Sequence, residues 1–159
     1  MRTLPIVWQR LVGAQGTTCP RCRGTGEEVR RAVAQLRTVL ESLGIEPVLE
    51  EREIDQAAFL RDPLQSNQVL ISGRPLDDWL GGRTGSSRCC NECGDRECRT
   101  LEVDGQTYET IPEDLVLRAG LIAAAHLPDA APCPRACSAA CCDTAKASDD
   151  AAAAGPRPG

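Results

Sequence analysis

Apolar positions in the first half of the chain follow two different periods. Leu4-Pro5-Ile6-Val7-Trp8-Gln9-Arg10-Leu11-Val12 is rich in branched and aromatic residues and predicts a strand. Pro5 lies near its start, where a missing donor matters least. Residues 13–18 read as a connecting loop. The period then lengthens: Val29, Val33, Leu36, Leu40 and Leu43 recur at three- and four-residue spacing and predict a helix over 27–43, stopped by Gly44. Thr25-Gly26-Glu27-Glu28 has capping-box spacing and marks the expected start of that helix. Residues 45–54 predict a second strand, with Glu50, Glu51, Arg52 and Glu53 on an exposed part. A strand, a helix and a strand in this order form a parallel crossover unit.

The second half is more broken. Asp55 can cap a short helix over 56–60, and Val69-Leu70-Ile71-Ser72 reads as a brief buried strand. Gly73-Arg74-Pro75 is a turn, and 76–80 reads as one helical turn carrying Trp79. Residues 81–95 form a long loop rich in Gly, Ser, Arg and Cys, of a length that is usually functional or disordered. Asp104-Gly105 is a tight-turn signal between strands over 99–103 and 106–110. Pro112, Glu113 and Asp114 open a last helix with Leu115, Val116, Ala119, Ile122 and Ala123 on its buried face, ended by Pro128. Beyond it, Ala, Pro, Asp, Lys and Gly dominate without an apolar period, and such a segment buries too little surface to offset its ordering entropy. The expected organisation is one domain over 1–128 and a disordered, cysteine-containing tail over 129–159.

Composition narrows the class. Only Trp8, Phe59, Trp79 and Tyr108 carry large aromatic rings, so the core is aliphatic. A net charge of −5 without a basic block argues against nucleic acid. The first thirty residues lack a signal-peptide run, and the apolar stretch over 115–127 is interrupted by Arg118 and too short to span a bilayer. A soluble, cytoplasmic, bacterial chain with no membrane partner is expected.

Ten cysteines then become the candidate chemistry. In a reducing compartment they point to metal binding or catalysis rather than a disulfide framework. They fall in three groups: Cys19 and Cys22; Cys89, Cys90, Cys93 and Cys98; Cys133, Cys137, Cys141 and Cys142. With one histidine, His126, any metal site must be mostly sulfur.

The order of elements, β-α-β-α-β-β-α, with Cys19-Pro20-Arg21-Cys22 after the first strand, resembles the thioredoxin-like α/β fold, and Cys-Pro-x-Cys is the glutaredoxin form of its active site. Trp8-Gln9-Arg10-Leu11, Thr18-Cys19-Pro20-Arg21-Cys22, the run from Leu70 to Leu80, Cys98-Arg99-Thr100 and Ile111-Pro112 together resemble a prokaryotic family of uncharacterised thioredoxin-like proteins with a Cys-rich loop, over roughly residues 4–127. Thioredoxins and glutaredoxins place a cis-proline before the third strand. Ser66-Asn67-Gln68 stands there in this chain, which argues against substrate docking of the usual kind. Gly24 and Gly26 argue that the Cys pair lies on a loop before the helix, with less help from its dipole.

Two uses of the sulfurs compete. In the first, Cys19 and Cys22 are a catalytic dithiol exchanging disulfides with a protein partner; Cys19, nearer the exposed loop, attacks and Cys22 resolves. Arg21 and Arg23 favour the Cys19 thiolate, although Arg21 reads equally as a solvated side chain. In the second, Cys89, Cys90, Cys93 and Cys98, with Cys133, Cys137, Cys141 and Cys142, are ligands of a soft ion. Three thiolates suit trigonal As(III) or Hg(II), and copper is also soft enough. Zn(II) wants a fourth thiolate, from Cys89 or from Cys19 or Cys22, and an iron–sulfur cluster also uses four. The bland alternatives are buried small residues at Cys19 and Cys22, a loop-stapling disulfide, and incidental thiols in the tail. His126 reads as a helix-end cation, Trp8 and Trp79 as core, and Asp77, Asp78 and the Glu50–Glu53 run as solvated faces.

Overall fold

A computed structural model describes residues 1–89 and 93–128. Cys90, Cys133, Cys137, Cys141 and Cys142, and the tail expected over 129–159, lie outside the described residues. Met1–Pro128 forms one compact unit of mixed α/β structure.

Strand β1 (Arg2–Leu11) is central in a four-stranded sheet. It pairs in parallel with β2 (Ile45–Ile54) and antiparallel with β3 (Gln68–Ile71), which pairs with the two-residue β4 (Arg74–Pro75). The order is β2-β1-β3-β4. Pro47 sits in β2, an edge strand, where its missing donor is tolerated. The segment read as a plain turn at 73–75 thus also closes the sheet, over the left-handed Gly73.

Helix α1 (Pro20–Leu40) corrects the expected start at 27. It begins at the Cys pair, with Cys19 as N-cap and Pro20 in the first turn, where a proline needs no donor. Gly26 does not break the helix: a Cβ there would stand 2.3 Å from the Trp8 ring, so glycine lets α1 lie directly on the buried indole. Thr25 is not a cap either, since its Oγ1 accepts a hydrogen bond from the Ile111 amide, 86 residues away in sequence. The helix tightens into a 3-10 turn (Glu41–Leu43) before left-handed Gly44. Asp55 caps α2 (Gln56–Arg61) by accepting from the Ala58 amide at 2.7 Å.

Helix α3 (Leu76–Leu80) carries Trp79, whose Nε1 donates to the Ile71 carbonyl. The expected long loop instead begins with β5 (Arg83–Arg88), which pairs with β6 (Glu97–Val103). Strand β7 (Gln106–Tyr108) completes a second sheet of order β5-β6-β7, so the hairpin over 99–108 does not extend the first sheet. Helix α4 (Glu113–Ala125) takes Pro112 as its N-cap residue rather than its first helical one. Its first turn is held to α1 by the Glu113 amide donating to Glu28 Oε2. Gly120 lets the two helices close: a Cβ there would meet Leu36 Cδ1 at 2.5 Å. Ile122 is only partly buried, and Gly120 and Ala124 take its place on the inner face.

Leu4, Ile6, Trp8, Val29, Leu36 and Val116 anchor an apolar core, as the pattern predicts. Asp77 is a correction. It is buried and paired with Arg99 at 3.0 Å, and its other oxygen accepts from Thr84. The Glu50–Glu53 run is exposed as expected. Among the described residues, no helix is long and apolar enough to cross a membrane.

Candidate thiolate site

The carboxyl end of β1 hands the chain to α1 through a short loop pinned by Thr18 Oγ1, which donates to the Leu11 carbonyl at 2.8 Å. That pin sets Cys19 at the helix mouth, where its sulfur accepts from the Cys22 amide at 3.4 Å. The dipole help that Gly24 and Gly26 argued against is therefore present. Cys22 lies one turn on, fully buried, with its sulfur 3.5 Å from Ser66 Oγ. Ser66 is itself fixed, accepting from the Leu11 amide at 3.0 Å. Among the described residues no peptide bond is cis, and it is Ser66 that faces the pair, at the place read above as lacking the cis-proline. The next residue, Asn67, has a positive φ and donates to the Arg99 and Glu109 carbonyls, tying the start of β3 to the second sheet.

The second sheet brings three more sulfurs. Cys89 follows β5 and lies 3.4 Å from the Cys19 sulfur. Cys98, on β6, is fully buried and lies 2.8 Å from the sulfur of Cys93, also buried. That distance is inside ordinary sulfur–sulfur contact and well outside a bond of about 2.0 Å. No disulfide joins the five described cysteines. The sulfurs of Cys19, Cys89 and Cys93 all lie within 4.8 Å of one another. Two groups that the sequence keeps 70 residues apart thus merge into one cluster.

Arg21 is the strap between them. Only 8% exposed, it is not the solvated side chain considered above. Its Nη1 donates to the Ser87 and Cys98 carbonyls, and its Nη2 donates to the Arg88 carbonyl and Ser87 Oγ. It also pairs with Glu109 at 3.0 Å. The strap role had no sequence signal, because its partners are carbonyls of a strand that the sequence read as loop.

Protonation follows the hydrogen bonds. Bonds to the Cys19 sulfur, from the Cys22 thiol first and the Cys93 thiol next, hold its thiol far below the ordinary value of 9.0, against the opposing effect of burial. The same bond to Cys19, then burial, push Cys22 up. Bonds to Cys19 and Cys98, then burial, push Cys93 up. The Cys93 bond lowers Cys98, against burial. Within the cluster the hydrogen bonds thus favour the thiolate at Cys19 and Cys98 and the thiol at Cys22 and Cys93.

Access is uneven. Cys19, read as the exposed attacker, is 3% exposed, and Cys89 is the one described sulfur with appreciable exposure. Cys89 opens on a hollow of about 320 Å³ lined by Pro20, Arg21, Arg88, Glu109 and Thr110. A hollow of similar size, between Met1, Arg37 and Pro47, contains no cysteine. His126 caps the end of α4, its exposed Nδ1 2.8 Å from the Ile122 carbonyl, away from the triad.

A family profile described as a domain of unknown function (DUF2703) matches residues 4–120. An uncharacterised protein of the archaeon Archaeoglobus fulgidus is 49% identical over 113 residues, covering 71% of this chain and 82% of that one. The relatives are therefore not confined to bacteria. No solved structure matches the chain.

Proposed function

This chain belongs to the DUF2703 family, and we propose that it binds a soft metal or metalloid ion through clustered thiolates, with Cys19, Cys89 and Cys93 as ligands. The observation that carries this reading is the mutual approach of those three sulfurs to within 4.8 Å. Thiolates about 2.3 Å from one ion stand roughly 4 Å apart, so an ion fits among them without backbone movement. Cys22 and Cys98 back the triad as a reserve of sulfur. The family resemblance and the many cysteines fit a reducing, cytoplasmic location.

A second reading, thiol–disulfide exchange by Cys19 and Cys22, has specific support. The order β2-β1-β3-β4, with β1 and β2 parallel and β3 antiparallel to both neighbours in the sheet, supports reading the first sheet as thioredoxin-like. Cys19 and Cys22 at the mouth of α1 stand where that reading expects a dithiol. In this chain α3 and the second sheet come between β4 and the last helix, and the segment after β5 brings Cys89 to within 3.4 Å of Cys19. Burial of Cys19 under Cys89 weighs against attack on a protein disulfide, which needs an exposed thiolate.

The two readings separate in one experiment. Reduced protein titrated with Cd(II) under anaerobic conditions is expected to give a saturable sulfur-to-metal charge-transfer band, lost in Cys89→Ser. Turnover of insulin disulfides with dithiothreitol is expected to be absent. Catalytic turnover abolished by Cys19→Ser, with no charge-transfer band, would replace the first reading by the second.

A further inference from the structure

Charge and number narrow the ion. Resting on the soft-ion reading, we infer that Cys19, Cys89 and Cys93 take a trivalent metalloid, entering as a neutral hydroxide such as As(OH)₃ or Sb(OH)₃, in preference to a divalent cation.

Among the described residues, only these three groups meet around one point. Neither His126 nor any carboxylate joins them. A closed zinc site wants four ligands, whereas a trivalent centre with a lone pair is complete with three. The 3.4 Å between Cys19 and Cys89 is also closer than the roughly 3.8 Å between sulfurs around tetrahedral zinc. It suits the narrower angles of a pyramidal centre.

Charge decides more strongly. Three thiolates around a divalent ion leave one net negative charge; around a trivalent ion they leave none. Cys19 and Cys93 are both buried, and an unpaired charge in such a place is disfavoured. The guanidinium that borders the cluster, Arg21, is already paired with Glu109, and its donors go to Ser87, Arg88 and Cys98. Arg88 turns outward to Asp95. The positive end of α1 offsets only part of the charge. A neutral hydroxide also sheds no counter-ion on entering the hollow at Cys89.

The step is ligand exchange without redox change. Three S–H bonds and three As–OH bonds break, three As–S bonds form, and three waters leave. A sulfur already present as thiolate brings no proton, so its exchange releases hydroxide, or water once that hydroxide has taken a proton from solvent.

The test titrates the full-length, reduced protein separately with arsenite, Zn(II) and Cd(II), without competing thiols. One arsenite is expected per chain, with loss of three titratable thiols and an X-ray absorption spectrum showing three As–S bonds. Its affinity should exceed that of Zn(II) by at least about 100-fold, a modest return for avoiding one buried charge. Cys89→Ser, at the partly exposed position where folding is least at risk, should lose that affinity while keeping the wild-type circular-dichroism spectrum and melting temperature. Tight Zn(II) or Cd(II) binding with weak arsenite binding overturns this inference and leaves the soft-ion reading standing. Binding of none of the three overturns both. Arsenite held equally well by Cys89→Ser overturns the triad.

Discussion

Gly26→Ala tests whether the site is positioned as described, because Gly26 sets how α1 lies on β1. An added Cβ would stand 2.3, 2.6 and 2.7 Å from three atoms of the Trp8 ring. Trp8 is 2% exposed and covered by the Arg10 guanidinium, 4.3 Å from its ring centroid, so it has little room to swing away. The helix must move instead. Overpacking of this kind costs about 1–3 kcal/mol, and three ring atoms overlapping at once put this site near the upper end. Against that, alanine gains roughly 0.5–1 kcal/mol over glycine inside a helix. The expected net loss is about 2 kcal/mol, or roughly 8 °C in melting temperature for a unit of this size. Urea unfolding followed by circular dichroism measures it directly. The control is a double-mutant cycle with Trp8→Leu, whose smaller side chain makes room for the methyl. The two substitutions should couple by about 1 kcal/mol or more, in the relieving direction. Cys19 lies two turns before Gly26 on the same helix, so Gly26→Ala should weaken ion binding as well. A variant as stable as the wild type, or a cycle with no coupling, would show that α1 does not rest on Trp8.

The remaining predictions probe the cluster and its supports. Thr25→Val removes the acceptor for the buried Ile111 amide and should cost about 1–3 kcal/mol in urea unfolding, although the two side chains have similar shapes. The lowered Cys19 thiol gives the folded state fewer protons than the unfolded one, so its stabilisation is full above 9.0 and shrinks as pH falls. Stability of the ion-free protein should therefore rise between about pH 6 and 8 by up to about 1.4 kcal/mol per pH unit from this group, and Cys19→Ser should flatten that rise. Cys22 and Cys93, pushed up, should lower stability only as pH passes 9.0. Finally, a low-molecular-weight disulfide should oxidise Cys93 and Cys98, whose sulfurs lie 2.8 Å apart, to a bridge that peptide mapping detects. The bridge removes Cys93 from the triad and should abolish ion binding in the wild type, whereas Cys98→Ser should resist. A Cys19–Cys22 bridge found first would favour the redox reading.

Long apolar periods and turn chemistry made β1, α1, β2, α2 and α4 legible in the sequence, because each is decided by local spacing and by burial of one face. The errors arose where a distant partner decides the structure. Gly24 and Gly26 look like helix breakers, yet they lie within a helix because Thr110 and Trp8 approach its backbone. Arg83-Thr84-Gly85-Ser86-Ser87-Arg88 has no apolar alternation, so nothing local marks it as a strand. Pairing with β6 makes it one, and Gly85 allows Thr100 to lie over it. Once β5 was read as loop, the buried partners of Asp77 and Arg21 could not be found. The cysteine groups themselves were plain, and so was the softness of any ion they would hold. Their merger was not, because it depends on which strand end the β5–β6 turn delivers to the mouth of α1.

That merger gives the cluster a direction. Exposure falls from Cys89, which opens on the hollow, to Cys19 and Cys93 beneath it, and then to Cys98 and Cys22, which are fully enclosed. The inner sulfurs sit on regular structure: Cys19 and Cys22 on the first turn of α1, and Cys98 on β6. Arg21 joins α1 to β5 and β6 through the Ser87, Arg88 and Cys98 carbonyls, so one guanidinium ties the floor of the site together. Cys89 and Cys93 are carried instead by the connection between β5 and β6, with left-handed Gly94 turning the chain after the second of them. In the soft-ion reading proposed above, an ion entering by the hollow would meet Cys89 first. It would then meet Cys19, whose thiolate is favoured by the helix mouth and the neighbouring thiols. Cys93 belongs to the triad and also touches Cys98 at 2.8 Å, so oxidation of that pair would compete with a third bond to the ion.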